Sequence, residues 1–137
     1  MFLFESEIAS SYFLEGENLL FIRLKNLNEF SIDRVLKNYE ITNQKLGDRS
    51  VHVLIDSREI DFLNVPKEVL HYMGNNPYTQ FQLSNAILIN GLGQRILANF
   101  YLKVVKPQVK TRVFNDRSLA LQWLNVPCEE SFNKAVA

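Results

Sequence analysis

Val51, Val53, Leu54 and Ile55 form a short, mostly β-branched run, bounded by Gly47-Asp48 before it and Asp56-Ser57-Arg58 after it. A strand this continuously apolar is buried on both faces, as at the centre of a parallel sheet. Parallel neighbours need crossover connections, usually helical, so the run also predicts helices between strands. Polar residues directly after such a strand stand at its carboxyl end, where open α/β sheets place their ligands. Val51 to Ser57 therefore sets a fold class and an edge for a site, and names no reaction.

The flanking sequence fits that frame. Ile8 to Glu15 reads as a first strand and Leu19 to Leu24 as a second. The turn Gly16-Glu17-Asn18 between them, with glycine supplying the backbone freedom, makes an antiparallel hairpin. Ser31 is a fit N-cap for a helix from Ile32 to about Lys45, and Phe30 and Val35 have the spacing of a hydrophobic staple. Ile32, Val35, Leu36, Tyr39 and Leu46 are its expected buried stripe, and Gly47 its C-terminal stop. After the central strand come a loop from Ser57 to Val65 and a short helix behind Pro66 with Val69, Leu70 and Met73 inward. Tyr78 to Leu83 fits either a helical turn or an irregular segment.

Ala86 to Ile89 is the next strand, and Asn90-Gly91-Leu92-Gly93 turns the chain into a helix from about Gln94 to Val104. Leu97, Phe100, Tyr101 and Val104 are expected on one side of it. Thr111 to Phe114 is the last strand. Asn115 and Asp116 can each cap a helix from Arg117 to about Asn125, with Leu119, Ala120, Trp123 and Leu124 inward. The prediction is a mixed, mostly parallel five-stranded α/β sheet with an N-terminal antiparallel hairpin and about four helices. Residues 1–125 make one domain and 126–137 a tail, partly disordered.

That order and three segments resemble the STAS-type, or SpoIIAA-like, fold of the anti-sigma-factor antagonists and their small stand-alone bacterial relatives. The segments are Val53 to Pro66 (VLIDSREIDFLNVP), Leu92 to Pro107 (LGQRILANFYLKVVKP) and Thr111 to Leu124 (TRVFNDRSLALQWL). In the antagonists a serine at the start of the helix after the central strand follows an aspartate and is phosphorylated. The resemblance sets Asn64 at the aspartate and Val65 at the serine, so it implies a module without the phosphoserine switch. Ser57 lies in the wrong part of the loop to replace it. Some folds of this type also resemble lipid-transfer domains, which implies a second role, carriage of a lipid or hydrophobic metabolite. Phe62, Leu63, Tyr72, Phe81, Phe100 and Tyr101 are the residues that would line its cavity.

Few residues suggest chemistry. Asp56 at a strand end invites comparison with a phosphoacceptor, but that reaction needs companion carboxylates for Mg²⁺, and the first strands end in Leu14-Glu15 and Leu24-Lys25. Asp56 is better read as accepting backbone hydrogen bonds and pairing with Arg58 or Arg95. In Asn90 to Arg95 (NGLGQR), two glycines allow close backbone approach, a helix N-terminus attracts anions, and Arg95 adds a bidentate donor. Ile96 stands where a dinucleotide fingerprint needs glycine, so an ordinary strand-to-helix turn is the favoured reading.

His52 and His71 are the only histidines and Cys128 the only cysteine, too few and too scattered for a metal or nucleophilic site. Lysines and arginines total 15 against 15 acids, so no basic footprint for nucleic acid is expected. No run approaches the ~18 apolar residues of a membrane span, and the N-terminus lacks a basic leader, so a cytoplasmic location is expected.

The expected function is a non-catalytic binding module with no cofactor and no metal. Its candidate binding residues are Asp56, Ser57, Arg58, Asn90, Gly91, Gly93, Gln94 and Arg95. The partners considered are a regulatory protein, a small anionic or lipid ligand, and a second copy joined at the edge of the hairpin.

Overall fold

The computed structural model describes residues 2–26, 29–126 and 129–136. Its core is a six-stranded sheet, β1 Phe2–Glu5, β2 Ala9–Leu14, β3 Leu19–Leu24, β4 Val51–Asp56, β5 Gln82–Leu88 and β6 Thr111–Phe114, lying side by side in sequence order. β1, β2 and β3 pair antiparallel, and β3 to β6 pair parallel. The helices are α1 Ile32–Leu46, α2 Lys67–Gly74, α3 Gly91–Val105, α4 Arg117–Trp123 and α5 Glu129–Val136. β4 is central as expected. Val53 and Leu54, adjacent and pointing to opposite faces, are both fully buried.

Each parallel step crosses through one helix, and α1, α2 and α3 all pack on the same face. There Val35 and Val69 cluster with Ala9, Leu24 and the half-buried Ile55, Leu46 with Val51 and Val53, and Ala98 with Ile87 and Val113. The opposite face receives no crossover helix. It is closed by α4 and α5, whose Ala120, Leu121 and Phe132 pack on Phe21, Leu54 and Leu88.

The local signals hold at α1. Ser31 Oγ accepts the Arg34 N–H at 3.2 Å, Phe30 and Val35 share one cluster, and Gly47 ends the helix at φ 65°. Ile32, expected in the buried stripe, is exposed, because it stands in the first turn outside the arc that reaches the sheet. In the β2–β3 connection the left-handed residue is Asn18 at φ 51°, not Gly16, which lies in a 3-10 turn from Glu15 to Glu17. Asparagine tolerates that conformation through its short polar side chain.

Further expectations need correction. The sheet has six strands, since Phe2–Glu5 adds to the outer edge of the hairpin with Phe4 buried and Leu3 exposed. β5 begins at Gln82 rather than Ala86, with polar Ser84 and Asn85 paired to β4 and β6; the ambiguous stretch before it is a 3-10 turn, Pro77–Phe81. The segment expected as a partly disordered tail carries α5, and Phe132 is fully buried edge-to-face on Phe21 at 5.0 Å between ring centroids. In α4, Leu119 is exposed and Leu121 takes the buried place, a shift of two positions around the helix. Cys128, expected in a mobile tail, lies outside the described residues.

Phe132 tests the role of α5. Phe132→Ala is expected to cost about 3–5 kcal/mol in urea denaturation, the price of emptying an aromatic core site. A side chain on a solvated tail would shift stability by no more than about 0.5 kcal/mol.

Candidate functional site

β4 ends in Asp56 at the carboxyl edge of the sheet. The Asp56 carboxylate is buried and accepts three hydrogen bonds from Arg58: the backbone N–H at 3.1 Å, Nε at 2.9 Å and Nη2 at 2.8 Å. Arg23, its register partner on β3, adds a longer ion pair at 3.9 Å. Burial by itself raises the Asp56 pKa; the Arg58 hydrogen bonds, with the charges of Arg58 and Arg23, outweigh it and hold the carboxyl below its usual value. The pairing with Arg58 is the one the sequence suggests. Arg95 takes no part in it.

Ser57 is buried, and its Oγ donates to the Leu88 carbonyl at 2.7 Å, tying the ends of β4 and β5 together. Gln94 is a clamp. Its Oε1 accepts the Asn90 N–H at 2.6 Å, and its Nε2 donates to the carbonyls of Ser57, Arg58 and Ile60 at 3.2, 3.1 and 2.7 Å. The expected Asn90–Gly93 turn is absorbed into the first turn of α3, with Asn90 as N-cap residue. Gly91 sits at φ 84°, which needs glycine, whereas a Cβ on Gly93 would meet nothing.

Of the predicted site residues, Asp56, Arg58 and Asn90 line one open cleft of about 400 Å³ with Arg23, Leu24 and Glu59. Ser57 and Gln94 hold its backbone, and Arg95 lines a different cleft beside β6. Two guanidiniums face two carboxylates in the first cleft, so it carries no surplus charge for an anion. His52 Nδ1 lies 2.7 Å from Ser84 Oγ, a cross-strand contact inside the sheet. Among the described residues no group of three or more His, Cys, Asp or Glu could hold a metal ion.

A second surface stands out on α3. Leu92, Ile96, Phe100 and Val104 follow one another at four-residue spacing and are 73, 59, 63 and 40% exposed. They point away from Ala98 and Val105, which are buried. Leu97, Phe100, Tyr101 and Val104, expected on one side of the helix, line one groove together, and Phe100 and Val104 belong to the exposed row as well. α3 is apolar around most of its circumference, and only one arc, with Ala98 and Val105, is buried. That all-round apolarity over Leu92–Val105 is the sequence signal that marks an outer face.

Phe62, Leu63, Phe100 and Tyr101, four of the six residues named for a lipid cavity, meet in an open groove of about 280 Å³ between α2 and α3. Tyr72 and Phe81 lie elsewhere. The apolar spaces nearer the interior are about 50 and 60 Å³, well below the ~300 Å³ at which ligand pockets begin.

The model of a family described as a domain of unknown function, DUF7793, matches residues 12–126. The chain belongs to the DUF7793 family. This DUF7793 domain is also similar in structure to an uncharacterised protein of the DUF3478 family with a SpoIIAA-like fold, from Shewanella loihica PV-4. The two are 14% identical, the match covers 90% of each chain, and the TM-score is 0.55. That likeness carries the fold alone, and the fold is the SpoIIAA-like one expected from the sequence. No curated protein matches the chain. Among the described residues of the DUF7793 domain no helix is long and apolar enough to cross a membrane.

Two substitutions probe the sheet edge. Folding lowers the Asp56 pKa, so its stabilisation is fully present above about pH 4 and is lost as pH falls through the folded value. Asp56→Asn is expected to cost about 1–3 kcal/mol at pH 7, below the usual cost of breaking a buried pair because Arg58 is 43% exposed. The difference from the parent should shrink toward pH 3 in parallel thermal melts. Gln94→Glu, which cannot donate to three carbonyls, should destabilise more than Gln94→Ala and speed amide exchange at Ile60.

Proposed function

We propose that this DUF7793 domain is a non-catalytic binding module that meets a protein partner through the outer face of α3. The observation that carries the reading is the exposed row Leu92, Ile96, Phe100 and Val104. A contiguous apolar patch on an otherwise well-buried domain marks a surface that another molecule covers. The charged residues of α3 are Arg95 and Lys103, with no acid among them, which favours a partner with acidic residues around its own apolar contact. Val65, at the position of the antagonists' serine, has no hydroxyl and is buried just before α2, so phosphorylation there does not gate this binding. A small anionic ligand at Asp56 and Arg58 draws less support, because the charges of that cleft balance.

A second reading, carriage of a lipid or apolar metabolite, is favoured by the meeting of Phe62, Leu63, Phe100 and Tyr101 in one groove. The groove is open along its length, which suits an anchoring side chain of a partner better than a sequestered ligand.

A photocrosslinking residue at position 96 or 100, compared with one at exposed position 37 on α1, separates these readings in cells. The expected result is the same protein adduct from 96 and 100 and none from 37. Ile96→Glu should abolish the adduct formed from 100 without shifting the thermal melt, since the side chain is exposed. Equal adducts at all three positions, or one that survives Ile96→Glu, would sink the reading. An adduct of lipid mass would move it to the carrier.

A further inference from the structure

β6 is the last strand of the sheet, and among the described residues no strand lies beside its outer edge. The Asn85 N–H donates to the Lys110 carbonyl and the Ile89 N–H to the Phe114 carbonyl, each at 2.9 Å. Lys110, Arg112 and Phe114 thus direct their backbone groups at β5. By the alternation of a strand, Thr111 and Val113 direct theirs outward. A cleft of about 630 Å³ runs beside this edge, reaching from Arg95 on α3 to Leu119 and Trp123 on α4, on opposite faces of the sheet.

The charge of the cleft is net positive, two arginines against one aspartate. Arg95 and Arg112 line it and form no ion pair among the described residues. Lys110 Nζ stands over the Trp123 ring at 5.5 Å, adding a third cation next to it. The acid in the cleft, Asp116, is engaged at the N-terminus of α4, where it accepts the N–H groups of Ser118 and Leu119.

We propose that the free edge of β6 takes an extended, acidic segment of a protein partner as a seventh strand. Main-chain hydrogen bonds to Thr111 and Val113 hold the segment, and its carboxylates meet Arg95 and Arg112 while its apolar side chains meet Leu119 and Trp123. Charge decides against a second copy. Two β6 edges paired together set Arg112 against Arg112, and β6 paired to β1 of another copy makes a head-to-tail contact that does not close. Basic side chains can also serve merely to keep sheet edges apart, but a guarded edge needs no cleft with an aromatic wall.

Trp123 is the only tryptophan and lines the cleft, so its fluorescence reads occupancy directly. The probe is an end-blocked Glu-Val-Glu-Val-Glu-Val peptide, with Lys-Val-Lys-Val-Lys-Val and a proline-interrupted acidic peptide as comparisons, added to the full chain. The acidic peptide should give a saturable change that weakens with salt and falls at least tenfold in affinity in R95E/R112E. Hydrogen exchange should slow at Thr111 and Val113. Thr111→Pro removes an outward N–H and no bond to β5, so it should weaken binding about tenfold while the thermal melt stays in place. No saturable change, equal binding of the lysine peptide, binding undiminished in both variants, or protection on α3 instead of β6 would each overturn the proposal. So would a concentration-dependent dimer of the free protein that Thr111→Pro dissolves.

Discussion

A sheet whose strands lie in space in the order of the sequence has all its crossovers on one side. In this chain β3, β4, β5 and β6 are joined in turn by α1, α2 and α3, and the three helices stack on a single face. The other face, with Phe21, Leu54 and Leu88, is as apolar as the first and has no crossover to hide it. Closure therefore falls to whatever follows the last strand. α4 and α5 answer that need, which is why Phe132, near the end of the chain, is as deeply buried as the central strand. Without that cover the long apolar run of β4 would have one wet face, and the two-sided burial that makes it central would be lost.

The carboxyl edge of the sheet shows how polar groups can be drawn into architecture. Asp56 is saturated by one arginine from its own loop and approached by another from β3. Ser57 joins two strand ends, and Gln94 accepts one backbone N–H and donates to three carbonyls. Residue types that suggest ligand binding in a sequence are here largely committed to holding a loop. The surfaces left uncommitted are apolar, on the outside of α3, and basic, along the edge of β6.

Much of the fold was legible because its signals are local. The β-branched run at Val51, the Ser31 cap and the Gly47 stop each act within a few residues, and each is found as expected. What was missed depends on partners distant in sequence. Phe2–Glu5 is too short to announce a strand without β2 beside it, and Gln82 to Asn85 is polar enough to pass for a loop until β4 and β6 flank it. Phe132 reads as tail until the bare face of the sheet is known to need it. At the candidate site, the Asp56–Arg58 pair was legible because the partners stand two positions apart in sequence. The four contacts of Gln94 were not, because three of them cross to a segment 34 to 37 residues away. The side shared by Leu97, Phe100, Tyr101 and Val104 was legible from their spacing, but an all-round apolar helix does not reveal which arc the sheet will claim.

The Gln94 clamp also has a mechanical meaning. α3 begins where β5 ends, and the loop after β4 is fastened to its first turn by one side chain. Helix and loop therefore form a single lever with its fulcrum at Asn90. A push on the outside of α3 reaches the backbone next to Asp56 through hydrogen bonds of 2.6 to 3.2 Å, with no flexible linker between. Whatever free energy couples the two surfaces runs equally in both directions. A change that tightened the loop after β4 would stiffen the start of α3, just as a load on α3 would stiffen the loop.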